Sequence, residues 1–141
     1  MKRRATAKKI LCWGTFDRLH AGHREFLQRA ALLGDLYVIV VPDEVVIKNK
    51  GRPPMHRAEE RSRAVAAVAG VKEVHIDSLE HGSGSVFRIR PEVFCVGYDQ
   101  RTPWEERLLR VLNAKGIACQ VVRLGCYANG LHSSQLRPSF A

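Results

Sequence analysis

Long apolar stretches and paired cysteines are both missing from this sequence. The longest apolar run, Leu36–Val41, is far shorter than the roughly 20 residues that span a bilayer. The basic start of the chain is not followed by the apolar segment of a signal peptide. The four cysteines form no C-x-x-C pair, which argues against a zinc or dithiol site of that type. We therefore expect a cytoplasmic protein with buried, reduced thiols and no membrane partner.

Acidic residues are scarce relative to basic ones. The 141 residues include 23 Lys and Arg against 14 Asp and Glu, a net charge of +9. An excess of this kind favours a polyanionic partner, which is a nucleic acid, a membrane surface or a phosphorylated small molecule. Five basic residues and no acid lie within residues 1–9. We predict a basic tail over 1–9 and one domain over 10–141, since a chain of this length rarely divides further.

Short apolar runs alternate with segments of helical spacing along the chain. The runs predict strands at 8–13, 36–41, 73–76, 93–97 and 118–124, and the intervening segments predict helices at 21–33, 58–69, 83–89 and 103–115. Such alternation is typical of an α/β, doubly wound, Rossmann-like domain with a five-stranded parallel sheet. Ligands of such sheets bind at the carboxyl ends of the strands. Between Pro42 and Arg57 we expect a long irregular loop.

The segment after the first predicted strand reads GTFDRLHAGH, residues 14–23. Gly14 lets a ligand approach the backbone. His20 and His23 lie at the start of a predicted helix, where unpaired N–H groups and the helix dipole favour an anion. A lone histidine here would more often be a helix cap or a buried side chain. Two histidines beside glycines and Asp17 favour a phosphate site instead.

This segment matches neither the P-loop nor the dinucleotide-binding glycine pattern. It resembles the G-x-F-D-x-x-H-x-G-H signature of the cytidylyltransferase-like nucleotidyltransferases, and the resemblance extends from Ile10 to about Arg137. That family transfers a nucleoside monophosphate from a nucleoside triphosphate to a phosphate-bearing acceptor and releases pyrophosphate. The resemblance implies that His20 and His23 contact the triphosphate and that Asp17 orients the loop. It also implies a nucleotide-facing loop at Gly14, Thr15, Phe16 and Gly22.

The resemblance assigns further positions outside the signature. A lysine after the second strand would neutralise phosphates, and both Lys48 and Lys50 fit that place, an ordinary solvated loop being the alternative. Arg61 resembles an arginine that the family has near the nucleotide. The tetrapeptide Gly97-Tyr98-Asp99-Gln100 would lie against the base or ribose, although such a sequence is also common in turns. Ser133, Ser134 and Arg137 resemble the family's third motif, where the serines would cap a helix and bind a phosphate.

The tetrapeptide at 97–100 resembles archaeal-type FAD synthases more than glycerol-3-phosphate cytidylyltransferases. We therefore expect adenylyl transfer from ATP to FMN, with CTP and a small phosphorylated polyol as the alternative. Mg²⁺ would be held mainly by phosphates rather than protein ligands, and the aromatic residues nearest the motifs, Trp13, Phe16 and Trp104, would line a flavin slot. A basic nucleic-acid-binding module is the non-enzymatic alternative, but no nucleic-acid motif supports it. The family resemblance also implies a homodimer.

Overall fold

Five parallel strands form one sheet in the order β3-β2-β1-β4-β5. The computed structural model describes residues 7–78, 84–97 and 105–125. The strands are β1 Lys9–Gly14, β2 Asp35–Val40, β3 Val71–Ile76, β4 Val93–Gly97 and β5 Gln120–Leu124. The helices are α1 Ala21–Ala31, α2 Asp43–Lys50, α3 Ala58–Ala66, α4 Gly84–Ile89 and α5 Glu105–Ala114. The predicted doubly wound α/β fold with a five-stranded parallel sheet is confirmed.

Each face of the sheet has its own apolar core. Successive side chains of a strand point to opposite faces, so Ile10 and Cys12 join one core and Leu11 joins the other. The first core is covered by Leu27 of α1 and residues of α3. The second is covered by residues of α4 and α5 such as Leu112. Burying each such leucine contributes about 1.5–3 kcal/mol, which holds helices on both faces of the sheet.

The ladder between β1 and β4 is short. β1 pairs with β2 over six residues, from Lys9–Asp35 to Gly14–Val40. With β4 it pairs only at Ile10–Val93 and Leu11–Phe94, although both strands continue for three more residues. This is also where the strand order changes direction, since β2 and β3 lie on one side of β1 and β4 and β5 on the other. A doubly wound sheet binds its ligand at the carboxyl edge beside such a point.

The expected irregular loop at 42–57 is wrong over its first half, because Asp43–Lys50 forms α2. Acidic Asp43 and Glu44 in the first turn and basic side chains in the last turn both suit the helix dipole. Gly51 ends the helix in the left-handed conformation, with a φ of 79°. We missed the helix because Val46 is its one buried residue, which leaves almost no apolar periodicity.

Other boundaries differ by one to three residues. β1 begins at Lys9, one residue after the predicted start, and β3 begins at Val71, two residues before the predicted strand. Cys12 and Cys95 are buried free thiols, as expected. Cys119 precedes β5 and is half-buried, and its burial raises the pKa of the thiol to about 11. Burial of this kind keeps a thiol protonated and unreactive.

Candidate active site

The loop that joins β1 to α1 adopts an unusual backbone conformation. Phe16 and Arg18 both lie in the left-handed region, with φ of 53° and 55°, where a bulky side chain is strained. The Phe16 ring is buried against Gly14, and a Cβ on Gly14 would lie 3.0 Å from that ring. A side chain at position 14 would press on this ring, so the position favours glycine.

The carboxylate of Asp17, between these two strained residues, is bonded to the segment that follows α2. Its Oδ2 accepts the N–H of Met55 at 2.7 Å and its Oδ1 accepts the N–H of His56 at 3.0 Å. Desolvation alone raises the pKa of Asp17, but these two hydrogen bonds and the nearby Arg61 and His56 outweigh it, so the pKa is lowered below its ordinary value. Asp17 is thus a charged tether between two loops, which fits an orienting role better than that of a base.

His20 and His23 form a reciprocal cap at the start of α1. His20 is the N-cap, and its Nδ1 accepts the N–H of Gly22 at 3.1 Å. The Nδ1 of His23 accepts the N–H of His20 at 3.2 Å. The two rings stack, with centroids 3.9 Å apart and planes inclined by 22°. Serine with glutamate is the usual pair in such a capping box, and here two imidazoles replace it.

These hydrogen bonds assign the tautomer of both histidines. A nitrogen that accepts a backbone N–H carries no proton, so each neutral ring has its proton on Nε2. Both rings are therefore hydrogen-bond donors through Nε2. The first turn of α1 contains no acidic residue, so the positive end of the helix dipole is not neutralised from within. Imidazole donors beside that end are suited to phosphate oxygens.

Arg61 lies beneath this loop and is almost fully buried. Its Nη1 donates to the carbonyl oxygens of Thr15 at 2.8 Å and Val41 at 2.9 Å, and its Nε donates to that of His56 at 2.9 Å. Its Nη2 lies 2.6 Å from Asp43 Oδ1. Four of the five guanidinium N–H groups thus bond to protein. The carbonyl of Thr15 is one of these four acceptors, so Arg61 holds the signature loop in place.

Lys48 and Lys50 lie exposed in the last turn of α2, not in an irregular loop. Residues two apart on a helix are rotated by about 200° around its axis, so the two lysines face nearly opposite sides. Lys50 is seven residues after Asp43 and therefore lies on the same side of α2 as the carboxylate that Arg61 binds. Lys48 lies on the outer side.

Gly97 ends β4, and its carbonyl accepts a hydrogen bond from Arg123 Nη1 at 3.3 Å. Arg123 belongs to β5, so a basic residue of the neighbouring strand holds this strand end. Sequence reasoning missed both Arg123 and Asp43. The signal that would have identified Arg123 is a charged residue near the end of an apolar strand. Tyr98, Asp99, Gln100, Ser133, Ser134, Arg137 and Trp104 lie outside the described residues.

The sequence profile of the cytidylyltransferase-like family matches residues 11–139. The chain belongs to this family. As a cytidylyltransferase-like protein, it is a nucleotidyltransferase.

Several curated relatives within this family are FAD synthases. The protein of Ferroglobus placidus is 39% identical over 117 residues, which cover 83% of this chain and 76% of that protein. The protein of Pyrococcus horikoshii is 41% identical over 118 residues, which cover 82% and 79%. Among solved structures, the lipopolysaccharide core biosynthesis protein from Thermoplasma volcanium superposes with a TM-score of 0.75 at 28% identity, covering 86% of this chain and 98% of that one.

The described part of this cytidylyltransferase-like chain contains no cluster of metal-binding side chains. Residues 7–78, 84–97 and 105–125 contain no group of three His, Cys, Asp or Glu side chains placed to hold a metal ion. Asp17, the acid of the signature, already accepts two N–H groups. Within the same ranges no helix is long and apolar enough to cross a membrane.

Proposed function

We propose that this protein transfers the AMP group of ATP to FMN, producing FAD and pyrophosphate. The observation that carries the proposal is the 39% and 41% identity to FAD synthases over more than three quarters of each relative. The intact histidine pair at the start of α1 supports it, because FAD synthesis of this kind needs a site for a triphosphate. The phosphate oxygen of FMN attacks the α-phosphorus, and the bond from that phosphorus to the bridging oxygen of the pyrophosphate breaks.

His20 and His23 act as neutral donors to the triphosphate in this proposal. Both Nε2–H groups point their protons at phosphate oxygens, where negative charge grows on the departing pyrophosphate. Preorganised donors of this kind typically contribute about 10²–10³ each to kcat. Nucleotidyl transfer depends on positioning and electrostatic stabilisation and needs no protein nucleophile. The reciprocal capping box supports this role, since it holds both rings in place before substrate arrives.

The remaining contacts are proposed from the family signature. Lys50 neutralises phosphate charge, which the helical phase of α2 supports over Lys48. Backbone at Gly14, Phe16 and Gly22 approaches the nucleotide. The segments Gly97–Gln100 and Ser133–Arg137 bind the base, the ribose and the phosphates. We do not extend direct contact to Arg61, because its guanidinium is bonded to four protein oxygens.

The divalent cation enters as part of the substrate, as a metal complex of ATP. Mg²⁺ prefers oxygen ligands and keeps several waters, so phosphate oxygens with few protein ligands are enough to hold it. The donor set of the described residues fits this arrangement, since Asp17 is already used by Met55 and His56. Adding a chelator should therefore stop turnover without unfolding the protein.

The test is to incubate the purified protein with MgATP and FMN and to measure FAD and pyrophosphate by chromatography. Parallel reactions contain CTP in place of ATP, and glycerol 3-phosphate in place of FMN. We expect equal amounts of FAD and pyrophosphate with ATP and FMN. Product from CTP and glycerol 3-phosphate but not from ATP and FMN would replace the proposed reaction with cytidylyl transfer.

A further inference from the structure

An acceptor with a flavin ring requires an apolar surface. Phe16 and Trp13, the described aromatic residues nearest the signature, are packed into the protein, and Trp104 lies outside the described residues. Phe16 is only 6% exposed, with its ring packed on Gly14. Trp13 packs against the core between the sheet and helices α4 and α5. Both side chains therefore serve the fold, and the expectation that they line a flavin slot fails for Phe16 on burial alone.

Exposed apolar side chains do occur beside the signature loop. Met55 is 68% exposed, although its N–H is fixed to Asp17 at 2.7 Å. Its backbone contact to Asp17 holds Met55 beside the signature loop, where the exposed side chain is available to a ligand bound there. Methionine is well suited to an aromatic ligand, because its flexible thioether makes favourable contacts with ring systems.

Ile47 is the second such residue, 45% exposed on α2. It lies one turn after Asp43, so the two residues share one side of that helix. Asp43 is bonded to Arg61, and Arg61 is bonded to the carbonyl of His56, the residue after Met55. One hydrogen-bonded unit thus carries both exposed apolar side chains. Lys50 lies on the same side of α2, which adds a cation for a phosphorylated ligand.

We propose that Met55 and Ile47 form the acceptor-ring subsite, on which the isoalloxazine of FMN lies while its phosphate extends to the signature loop. The inference rests on the proposed function and adds the residues that select the acceptor. The apolar side chains recognise the ring, and the histidines and Lys50 recognise phosphates. A ring-free acceptor would use only the second set. Met55 and Ile47 therefore determine specificity for a flavin over a phosphorylated polyol.

The experiment compares Met55→Ala and Ile47→Ala with Leu32→Ala in the full chain. Leu32 is 84% exposed at the opposite end of α1 from the histidines, which makes it a matched control for loss of an exposed apolar side chain. We expect KM for FMN to rise about ten-fold or more in Met55→Ala, as loss of a buried apolar side chain implies. KM for ATP and kcat at saturating FMN should change less than two-fold, Leu32→Ala should match the wild type, and Met55→Leu should restore most of the affinity.

A second measurement separates ring recognition from phosphate recognition. Ribitol 5-phosphate carries the phosphate and polyol of FMN without the ring, so its inhibition constant should be the same for wild type and Met55→Ala. Wild-type FAD synthesis with an unchanged KM for FMN in both variants would overturn the subsite and leave the proposed function standing. A rise in the inhibition constant for ribitol 5-phosphate equal to that in KM for FMN would also overturn it, because the defect would then concern the phosphate. Absence of FAD synthesis by the wild type would overturn both proposals.

Discussion

At the scale of single residues, the site is built from polar groups whose hydrogen bonds are fixed before any substrate binds. The sequence was enough to single out His20 and His23, since two histidines beside glycines at a helix start are a rare pattern. It was not enough to predict their reciprocal cap, because that depends on the extended backbone of His20, whose φ is −132°. Arg61 could not be identified as buried either. Arginine is usually exposed, and three of its four partners are 18 to 46 residues away along the chain.

The reciprocal cap makes it possible to separate the structural and chemical roles of each histidine. His20→Asn keeps an acceptor for the N–H of Gly22, because asparagine is a preferred N-cap, but has no donor at the place of Nε2. His23→Gln likewise keeps the usual acceptor of a capping box. We expect the free energy of unfolding of both variants to lie within about 0.5 kcal/mol of the wild-type value. Their kcat should fall by about 10²–10³-fold. His20→Ala should lose the same activity and about 1 kcal/mol of stability.

The checks are urea unfolding and steady-state pyrophosphate release. Activity close to wild type in His20→Asn and His23→Gln would refute the role of the Nε2 donors. A stability loss in these variants as large as in His20→Ala would refute the assignment of Nδ1 as the capping atom.

Asp17 should contribute stability that depends on pH in one direction. Its pKa is lower in the folded protein than the ordinary value of 3.8, so its contribution is present above that value and disappears as the pH falls through the folded pKa. Asp17→Asn replaces one of the two accepting oxygens with an NH₂ group, so either Met55 or His56 loses the acceptor of its N–H. We expect a loss of about 1–3 kcal/mol at pH 7 and a smaller difference from wild type at pH 3. Urea unfolding at both values tests this, and a difference that grows at low pH would contradict it.

Arg61 should be among the most costly residues to replace. Arg61→Met leaves three carbonyl oxygens and Asp43 without their donor, and removing one partner of a buried ion pair typically costs about 3–5 kcal/mol. Arg63 lies exposed on the same helix, so Arg63→Met is the matched control and should change stability by less than about 0.5 kcal/mol. Chemical denaturation measures both. Equal effects of the two substitutions would mean that the hydrogen bonds of Arg61 do not stabilise the fold.

At the scale of elements, apolar runs predicted the three central strands β2, β1 and β4, because buried parallel strands are apolar over most of their length. β3 lies at the sheet edge and is half-buried or exposed throughout, so only its last four residues were predicted. Helix α2 was missed since it buries a single residue, Val46, and its stability comes from charges at its ends and from Gly51. Those end signals were present in the sequence but carry less weight than periodicity. The helix matters for function, because Lys48 and Lys50 would be equivalent in an irregular loop but face different sides of α2.

The phase of α2 predicts different effects for its two lysines. Lys50 shares the side of Asp43, and Lys48 points about 140° away from it. We expect Lys50→Ala to lower kcat/KM for ATP by about 10²-fold or more, as loss of a phosphate contact in a preorganised site does. Lys48→Ala, the matched control in the same turn, should lower it by less than five-fold. Steady-state kinetics at constant ionic strength measure both. The reverse order would show that the nucleotide lies on the outer side of α2.

At the scale of the whole molecule, the excess positive charge divides between the start of the chain and the remainder of the sequence. Removing residues 1–9 from the count takes away five of the 23 basic residues and none of the 14 acids, which leaves a net charge of 18 − 14 = +4. The proposed phosphate site uses the histidine donors, Lys50 and the helix dipole of α1, so part of the remaining charge belongs to it. The absence of a nucleic-acid partner stays a prediction. The expected homodimer stays a prediction.

Because Arg61 and Asp17 tie the signature loop to β2, α2 and the segment before α3, ligand binding at the loop should stabilise the molecule as a whole. A ligand at 100 times its Kd stabilises the folded state by about 2.7 kcal/mol, and for a domain of this size each kcal/mol raises Tm by about 3 °C. MgATP should therefore raise Tm by about 8 °C, and MgCTP at the same concentration by much less if adenine is the preferred base. The measurement is thermal unfolding with each nucleotide, and His20→Asn is the control that should lose most of the shift at unchanged intrinsic stability. A larger shift with MgCTP would transfer the base preference to cytosine, and an equal shift in His20→Asn would place the triphosphate away from α1.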